Sequence, residues 1–302
     1  MRYRILISDP LHSEALAWLA EQMDVEVELQ PEITPDELRQ RLGHYDALIV
    51  RSRTIVGPAE LAAAARLRVI GRAGTGLDNI AVAEAEAQGI RVLNTPGANA
   101  AAVAELTLGF LLAIARDLPQ AIASQKKAMG MELSGKQLGI IGFGQIGTRV
   151  ARLARAFEMK VVAHDLVDRQ AIAQELDVTL LRLNELLAHS DFISLHLPLT
   201  DQTHDLINED VLSLMAEGTS LVNTARAEIV DESAIVRALD EGRLHRYAAD
   251  LHRKTSPLLG HPRALLTPHI GASTHEAQRR AGLEITERVV ATLRTLRRAH
   301  KK

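Results

Sequence analysis

Residues 138–150 read LGIIGFGQIGTRV. An apolar run, Leu138 to Ile141, ends at Gly142, and Gly144 and Gly147 follow in G-x-G-x-x-G spacing before an amphipathic stretch, Thr148–Phe157. This predicts a strand, a tight turn and a helix. The first glycine permits the turn, the second lets the backbone approach a pyrophosphate, and the third lets helix and strand pack closely. The amides at the helix start, with Gln145 and Ile146 in the turn, then face an anion. Asp165 ends the next predicted strand, 18 residues after Gly147. A carboxylate there accepts hydrogen bonds from ribose hydroxyls and repels a 2′-phosphate. The nearest arginine is Arg169, so the pattern favours NAD over NADP.

On both sides of this stretch, short apolar runs alternate with amphipathic ones. Before it, strands are expected at Tyr3–Ser8, Asp24–Leu29, Ala47–Val50, Val69–Gly71 and Arg91–Leu93, with helices at Leu11–Ala20, Thr34–Leu42, Pro58–Ala65 and Ile80–Gln88. Thr34, Pro35 and Glu37 supply an N-cap, a first-turn proline and a capping-box partner. One long helix is expected near Ala98–Lys127. Strands follow at Gln137–Ile141, Lys160–His164, Asp191–His196, Ser220–Asn223, Tyr247–Ala249 and Leu265–Thr267, and a last helix spans roughly Ser273–Arg298. This alternation implies parallel sheets covered on both faces. The fold class read from it is α/β with two doubly wound parallel-sheet domains. Hinges are expected at Thr95-Pro96-Gly97 and at Pro268-His269.

The bulk properties exclude several classes. The chain has 302 residues, enough for about two domains, and 47% of them are hydrophobic against 24% charged. A net charge of −3 gives no field toward nucleic acid or an anionic membrane. Cysteine is absent, which removes disulfides, thiolate zinc sites and a cysteine nucleophile. No metal site is expected. No apolar run reaches the roughly 18 residues that span a bilayer, and no signal-like segment opens the chain, so a cytoplasmic location is expected.

Two further segments, with the glycine turn, resemble a known family. Leu133–Gly147 (LSGKQLGIIGFGQIG), Val222–Glu232 (VNTARAEIVDE) and Thr267–Thr274 (TPHIGAST) resemble signature segments of the D-isomer-specific 2-hydroxyacid dehydrogenases. Val50–Thr54 (VRSRT), Gly71–Asn79 (GRAGTGLDN) and Asn94–Glu105 (NTPGANAAAVAE) resemble its 3-phosphoglycerate dehydrogenase branch, in a short form lacking a regulatory domain after about residue 300.

The resemblance implies a flavodoxin-like substrate domain from residues 1–95 and 270–302, a Rossmann NAD-binding domain from 96–269, a cleft active site, and a homodimer or higher homo-oligomer formed through the helix after Pro96. It implies that Arg226 holds the substrate carboxylate and polarises the ketone, a task suited to a permanently charged, two-pronged guanidinium. It implies that His269 is the acid and base, since an imidazole gives and takes protons near neutrality. Asp250 would orient the nicotinamide amide. Thr75, His196, Pro198, Thr203, Thr224, Ala225 and Gly271 would complete the cofactor site beside Gly142, Gly144, Gln145, Ile146, Gly147 and Asp165. Gly74 and Gly76 would offer backbone amides to the substrate, with Asn99 at the same mouth. Arg51, Arg53 and Arg72 follow strand ends, and in a parallel sheet such ends face one crevice. Side chains at 51 and 53 share a face if the extended path continues, which would suit a phosphorylated 2-hydroxy or 2-keto acid.

The pattern departs from the family in places. Thr255 stands where the family has a glutamate that accepts from the catalytic imidazole, and Leu251–Thr274 contains no Asp or Glu. A neighbouring carboxylate raises a histidine pKa by roughly one to two units, so reduction is expected to fail at a lower pH here. The segment between Ala123 and Met129 is shortened. Ala227, His252 and Gln145 replace the family's usual Gly, Phe and Arg. Three functions are therefore expected in order: NAD-dependent interconversion of 3-phosphoglycerate and 3-phosphohydroxypyruvate, as in serine biosynthesis; reduction of glyoxylate, hydroxypyruvate or another small 2-keto acid; or NAD binding with degenerate catalysis.

Overall fold

A computed structural model describes residues 2–127 and 129–299. The chain divides into two units, Met1–Asn99 with Ala272–Lys302, and Ala100–Gly271. Residues 95–99 stay with the first unit because Thr95 N donates to Gly74 O and Arg280 Nε donates to Ala98 O.

The first unit contains β1 (Tyr3–Ile7), α1 (Ser13–Ala20), β2 (Val25–Leu29), α2 (Pro35–Leu42), β3 (Ala47–Val50), α3 (Pro58–Ala62), β4 (Val69–Arg72), α4 (Val82–Ala87) and β5 (Arg91–Leu93). Its strands form a parallel sheet in the order β2-β1-β3-β4-β5. A parallel strand with both faces covered needs a near-continuous apolar run; Ala47, Leu48, Ile49 and Val50 supply one and are all fully buried. The capping box of Thr34 and Glu37 is formed, with Pro35 at the helix start. One side of the sheet packs Leu38, Leu42, Leu61 and Ile90. The other packs Leu19 and four residues of the last helix, Ile285, Val289, Val290 and Leu293. A side chain at Gly71 would meet Val289 Cγ2 at 2.5 Å, so glycine lets that helix lie on β4.

The second unit contains α5 (Ala100–Ala115), α6 (Leu118–Ser124), β6 (Gln137–Ile141), α7 (Gln145–Ala156), β7 (Lys160–His164), α8 (Gln170–Glu175), β8 (Thr179–Leu180), α9 (Leu183–His189), β9 (Phe192–Leu195), α10 (Glu209–Ser213), β10 (Thr219–Asn223), a 3-10 turn at Ala227–Ile229, α11 (Glu232–Asp240), β11 (Leu244–Ala249) and β12 (Ala264–Leu266). The chain then returns to the first unit as α12 (His275–Ala299). The seven strands are parallel, in the order β12-β11-β10-β9-β6-β7-β8. Strand order reverses at β6, the position where doubly wound sheets open a crevice beyond their carboxyl ends. Two apolar layers, around Phe143 and Phe192 on one face and Leu187 and Tyr247 on the other, cover the sheet.

The single helix expected over 98–127 is instead two. α5 stops at Ala115, Asp117 adopts a left-handed conformation (φ 47°), and Pro119 sits in the first turn of α6. A proline at that point would clash with the carbonyl four residues back, inside a continuous helix. The Ala115 carbonyl that is freed accepts from Met131 N at 2.8 Å. The two-residue strand β8 is an addition that no periodicity announced. Ala128, in the shortened segment, lies outside the described residues.

Candidate active site

All the chemistry-bearing residues of the second unit leave the carboxyl ends of its strands. After β6, Gly142 (φ 95°) starts the turn, and a side chain there would meet His196 O at 2.5 Å. A side chain at Gly147 would meet Gly142 O at 2.2 Å, whereas one at Gly144 would meet nothing within 4 Å. Gly144 is therefore the open wall of a cradle whose other walls are backbone. It is also the N-cap of α7 and has no side-chain cap, so the first amides of that helix face the cradle without an internal acceptor. This is the geometry a pyrophosphate fits.

Asp165 follows β7 and braces the same turn. Its carboxylate accepts from Phe143 N and Val167 N, each at 2.8 Å, and from Arg169 Nε at 3.3 Å. Burial pushes its pKa up, but the Val167 and Phe143 amides and the Arg169 guanidinium outweigh that and hold it below the ordinary carboxylate value. Arg169, noted in the sequence only as the nearest arginine, is thus an ion-pair partner of Asp165.

After β9, His196 Nε2 lies 2.7 Å from Ser194 Oγ, while Nδ1 is sealed from solvent without a partner. Burial pushes the ring's pKa down to about 3, so it is neutral. Thr203 Oγ1 donates to Pro198 O at 2.7 Å and closes the loop beyond. After β10, buried Asn223 holds both ends of the next turn: its Oδ1 accepts from Ala225 N (3.0 Å) and its Nδ2 donates to Arg226 O (2.8 Å). Arg226 is extended and half-buried, and its Nη1 donates to Ala225 O. Thr224 Oγ1 lies 3.1 Å from Thr107 Oγ1 on α5. After β11 comes Asp250, only 2% exposed. After β12 come Thr267 and the exposed, left-handed His269 (φ 57°). Arg226 and His269 therefore leave the same end of one sheet with only β11 between them, about two strand spacings or 10 Å apart at the backbone.

The remaining positions lie in the first unit. Val50 pairs with Arg72 across β3 and β4, so Arg51 and Arg72 are at neighbouring strand ends. The extended path does not continue to 53. The chain bends at Ser52 and Arg53, and the Arg53 guanidinium turns to Asp9 Oδ1 (3.1 Å), Ser8 O and Ile33 O. Arg51 makes a long 3.4 Å contact to Pro10 O, and its guanidinium is otherwise on the exposed side. Arg72 lies against Gly74 (φ 148°): a side chain at 74 would fall 1.7 Å from Arg72 Nη1. Thr75 Oγ1 donates to Asn99 Oδ1 at 2.9 Å, and Gly76 follows in the same half-buried loop.

Comparison with known proteins identifies the family. Residues 108–271 match the model of the D-isomer specific 2-hydroxyacid dehydrogenase NAD binding domain. The chain belongs to this family. It is 42% identical to a hydroxypyruvate reductase of Thermotoga maritima over 97% of this chain and 99% of that one. It is also 42% identical to a D-3-phosphoglycerate dehydrogenase of Methanocaldococcus jannaschii over 96% of this chain, but only 57% of the relative's length. The structure of cofactor (NAD+)-bound 3-phosphoglycerate dehydrogenase from Entamoeba histolytica superposes with a TM-score of 0.84, at 29% identity over 96% of this chain and 94% of the other. The protein is thus an NAD-dependent 2-hydroxyacid dehydrogenase, and nothing among these relatives favours a cofactor-binding protein without catalysis.

The structure also shows supporting residues that sequence patterns did not single out. Asn223 is one; an Asn at a strand end is a turn-former, which is the signal that was there to read. Buried Asp9 accepts from Arg51 N, Thr54 N and Thr54 Oγ1 as well as from Arg53. Buried Glu232, opening α11, accepts from Arg253 N at 3.2 Å and so ties down the loop that bears Thr255. Thr255 itself is exposed in a turn. Among the described residues there is no cluster of metal-binding side chains and no helix long and apolar enough to cross a membrane.

Proposed function

We propose that the protein interconverts 3-phosphoglycerate and 3-phosphohydroxypyruvate. The observation that carries this is that Arg51, the residue after β3, and Arg72, paired with Val50 at the end of β4, lie at neighbouring strand ends, where two guanidiniums suit one phosphate. Arg53, held by Asp9, braces the loop that presents Arg51. Arg226 takes the substrate carboxylate and draws electron density from the C2 carbonyl. His269 gives a proton to the carbonyl oxygen in reduction and accepts it back in oxidation. The glycine cradle, Asp165 and the 196–203 loop would hold NADH, which when bound would supply the hydride to C2. Self-association through α6, whose Leu118 and Ile122 are exposed, belongs to the same proposal.

A second reading has its own support. The hydroxypyruvate reductase matches over 99% of its length, and Arg53, one of the three candidate arginines, is engaged by Asp9. Steady-state oxidation of NADH with phosphohydroxypyruvate, hydroxypyruvate and glyoxylate separates the two. The phosphorylated substrate is expected to lead in kcat/KM by more than about tenfold, and Arg51→Gln to erase most of that lead, a loss of about 1.5–3 kcal/mol for a charge-assisted contact. Equal kcat/KM with and without phosphate, untouched by Arg51→Gln, would establish the small keto acid instead.

A further inference from the structure

Asp250 gathers more hydrogen bonds than orienting a ligand requires. Its carbonyl accepts from His269 N at 2.7 Å. Its Oδ1 accepts from Ile270 N (2.7 Å) and Thr267 Oγ1 (2.6 Å), and its Oδ2 accepts from Gly271 N (2.7 Å). Two consecutive amides, 270 and 271, therefore point at the carboxylate, and the amide of 269 points at the carbonyl of the same buried residue. Successive N–H groups turned to one acceptor make an anion-binding concavity, and here the anion is part of the chain.

Two backbone bonds also hold the loop: Thr267 N donates to Ala249 O at 2.9 Å and His269 N to Thr267 O at 3.0 Å. Pro268, His269 and Ile270 are exposed, so apolar packing does not hold them. His269 is in the left-handed region, a conformation unfavourable for a residue with a side chain. Gly271 lies so close that a side chain there would meet Asp250 Oδ2 at 2.8 Å. A carboxylate accepts at about four sites; three are filled by the loop, which leaves at most about one for a cofactor amide.

We propose that Asp250 is a positioning residue: its carboxylate clamps residues 267–271 and thereby aims the His269 imidazole. The proposal rests on the reading of His269 as the acid and base. Asparagine is nearly isosteric, but its NH2 group cannot accept, so Asp250→Asn turns a donor toward a loop donor and releases one side of the concavity. Thr267→Val removes one bond and leaves the charge in place.

The test combines three readouts on the full-length protein: kcat for a 2-keto acid at saturating NADH, the NADH Kd by fluorescence, and amide hydrogen exchange at Ile270 and Gly271 without cofactor. Asp250→Asn is expected to lower kcat about 10²-fold, the scale of an ångström of misplacement, while NADH Kd stays within about threefold and exchange at the two amides accelerates at least about tenfold. Thr267→Val is expected to lower kcat by about three- to tenfold, as for one hydrogen bond lost among the several that hold the loop, with NADH affinity retained. If Asp250→Asn instead weakens NADH strongly while exchange and saturated kcat are unchanged, Asp250 is a cofactor ligand and the clamp is wrong. Should that variant fail to fold, Thr267→Val decides: wild-type kcat and wild-type exchange sink the proposal. Full turnover in His269→Gln would overturn the acid–base reading itself, a failure told apart because exchange at 270 and 271 would stay slow.

Discussion

His196 is a neutral imidazole held beneath the glycine turn, and its acid chemistry follows from that. Burial sets its folded pKa at about 3, below the ordinary histidine value of 6.5. The unfolded chain therefore binds the proton more readily than the folded one. The neutral ring's contribution to stability is complete above pH 6.5 and falls as the pH drops toward 3, with a slope of up to about 1.4 kcal/mol per unit. Replacing His196 by Gln keeps a hydrogen-bonding group near Ser194 and removes the titration. Urea unfolding from pH 7 to pH 4 is expected to show the wild type losing stability faster than the variant, with the gap opening below 6.5. Parallel curves would mean that the ring is solvated in the folded protein. At the same scale, Gly74 shows how a residue without a side chain serves one that has it, since the guanidinium of Arg72 occupies the space where a methyl would be.

At the scale of elements, the β6–α7 turn separates two jobs that glycines perform. Gly147 serves packing, because a methyl there would strike Gly142 O at 2.2 Å and Ile140 Cγ2 at 3.1 Å. Gly144 serves the ligand, because a methyl there meets no protein atom within 4 Å. Gly147→Ala is therefore expected to cost about 1–3 kcal/mol of stability, as overpacking does, and to weaken NADH as well. Gly144→Ala is expected to leave the unfolding midpoint in place while NADH affinity falls by at least about tenfold, since the methyl enters the pyrophosphate's path. Tight NADH binding by Gly144→Ala would show that the anion lies elsewhere. This turn was legible in the sequence because its glycine spacing answers to local geometry alone. So were the long buried strands and the capped start of α2. What was not legible depends on distant partners. Arg53 seemed to continue the strand that ends at Val50, but Asp9, after β1, pulls the chain into a bend and collects its guanidinium. The break between α5 and α6 depends on Asp117, whose side chain accepts from Arg246 on β11, 129 residues away. The two residues of β8 are too few to show a period. At the candidate site, Arg226 and His269 stand out in the sequence only through a resemblance, and the hydrogen bonds of Asn223 and Asp250 to the loops that carry them require knowing which strands are neighbours.

The whole molecule is two α/β units, each with apolar layers on both faces of its own sheet. The first is discontinuous: α12 returns to lay Ile285, Val289 and Leu293 into the core built by β1 and β4, and Tyr3 Oη donates to Leu293 O at 3.0 Å. The second is one continuous stretch that carries the entire glycine cradle. A ligand that binds only the folded second unit stabilises that unit by RT ln(1 + [L]/Kd), about 2.7 kcal/mol at a hundredfold excess over Kd. Amides that exchange only through opening of the second unit must then slow by about 10²-fold, while those governed by opening of the first need not change. The expected outcome, by hydrogen exchange with mass spectrometry at saturating NADH, is strong added protection in peptides from β6, β7, β9 and β10 and little in those from β1, β3 and β4. Equal protection in both sets would show that the two units open as a single cooperative body, with α12 coupling the return of the chain to the stability of the cofactor unit. Added protection in the first set alone would contradict cofactor binding at the β6–α7 turn.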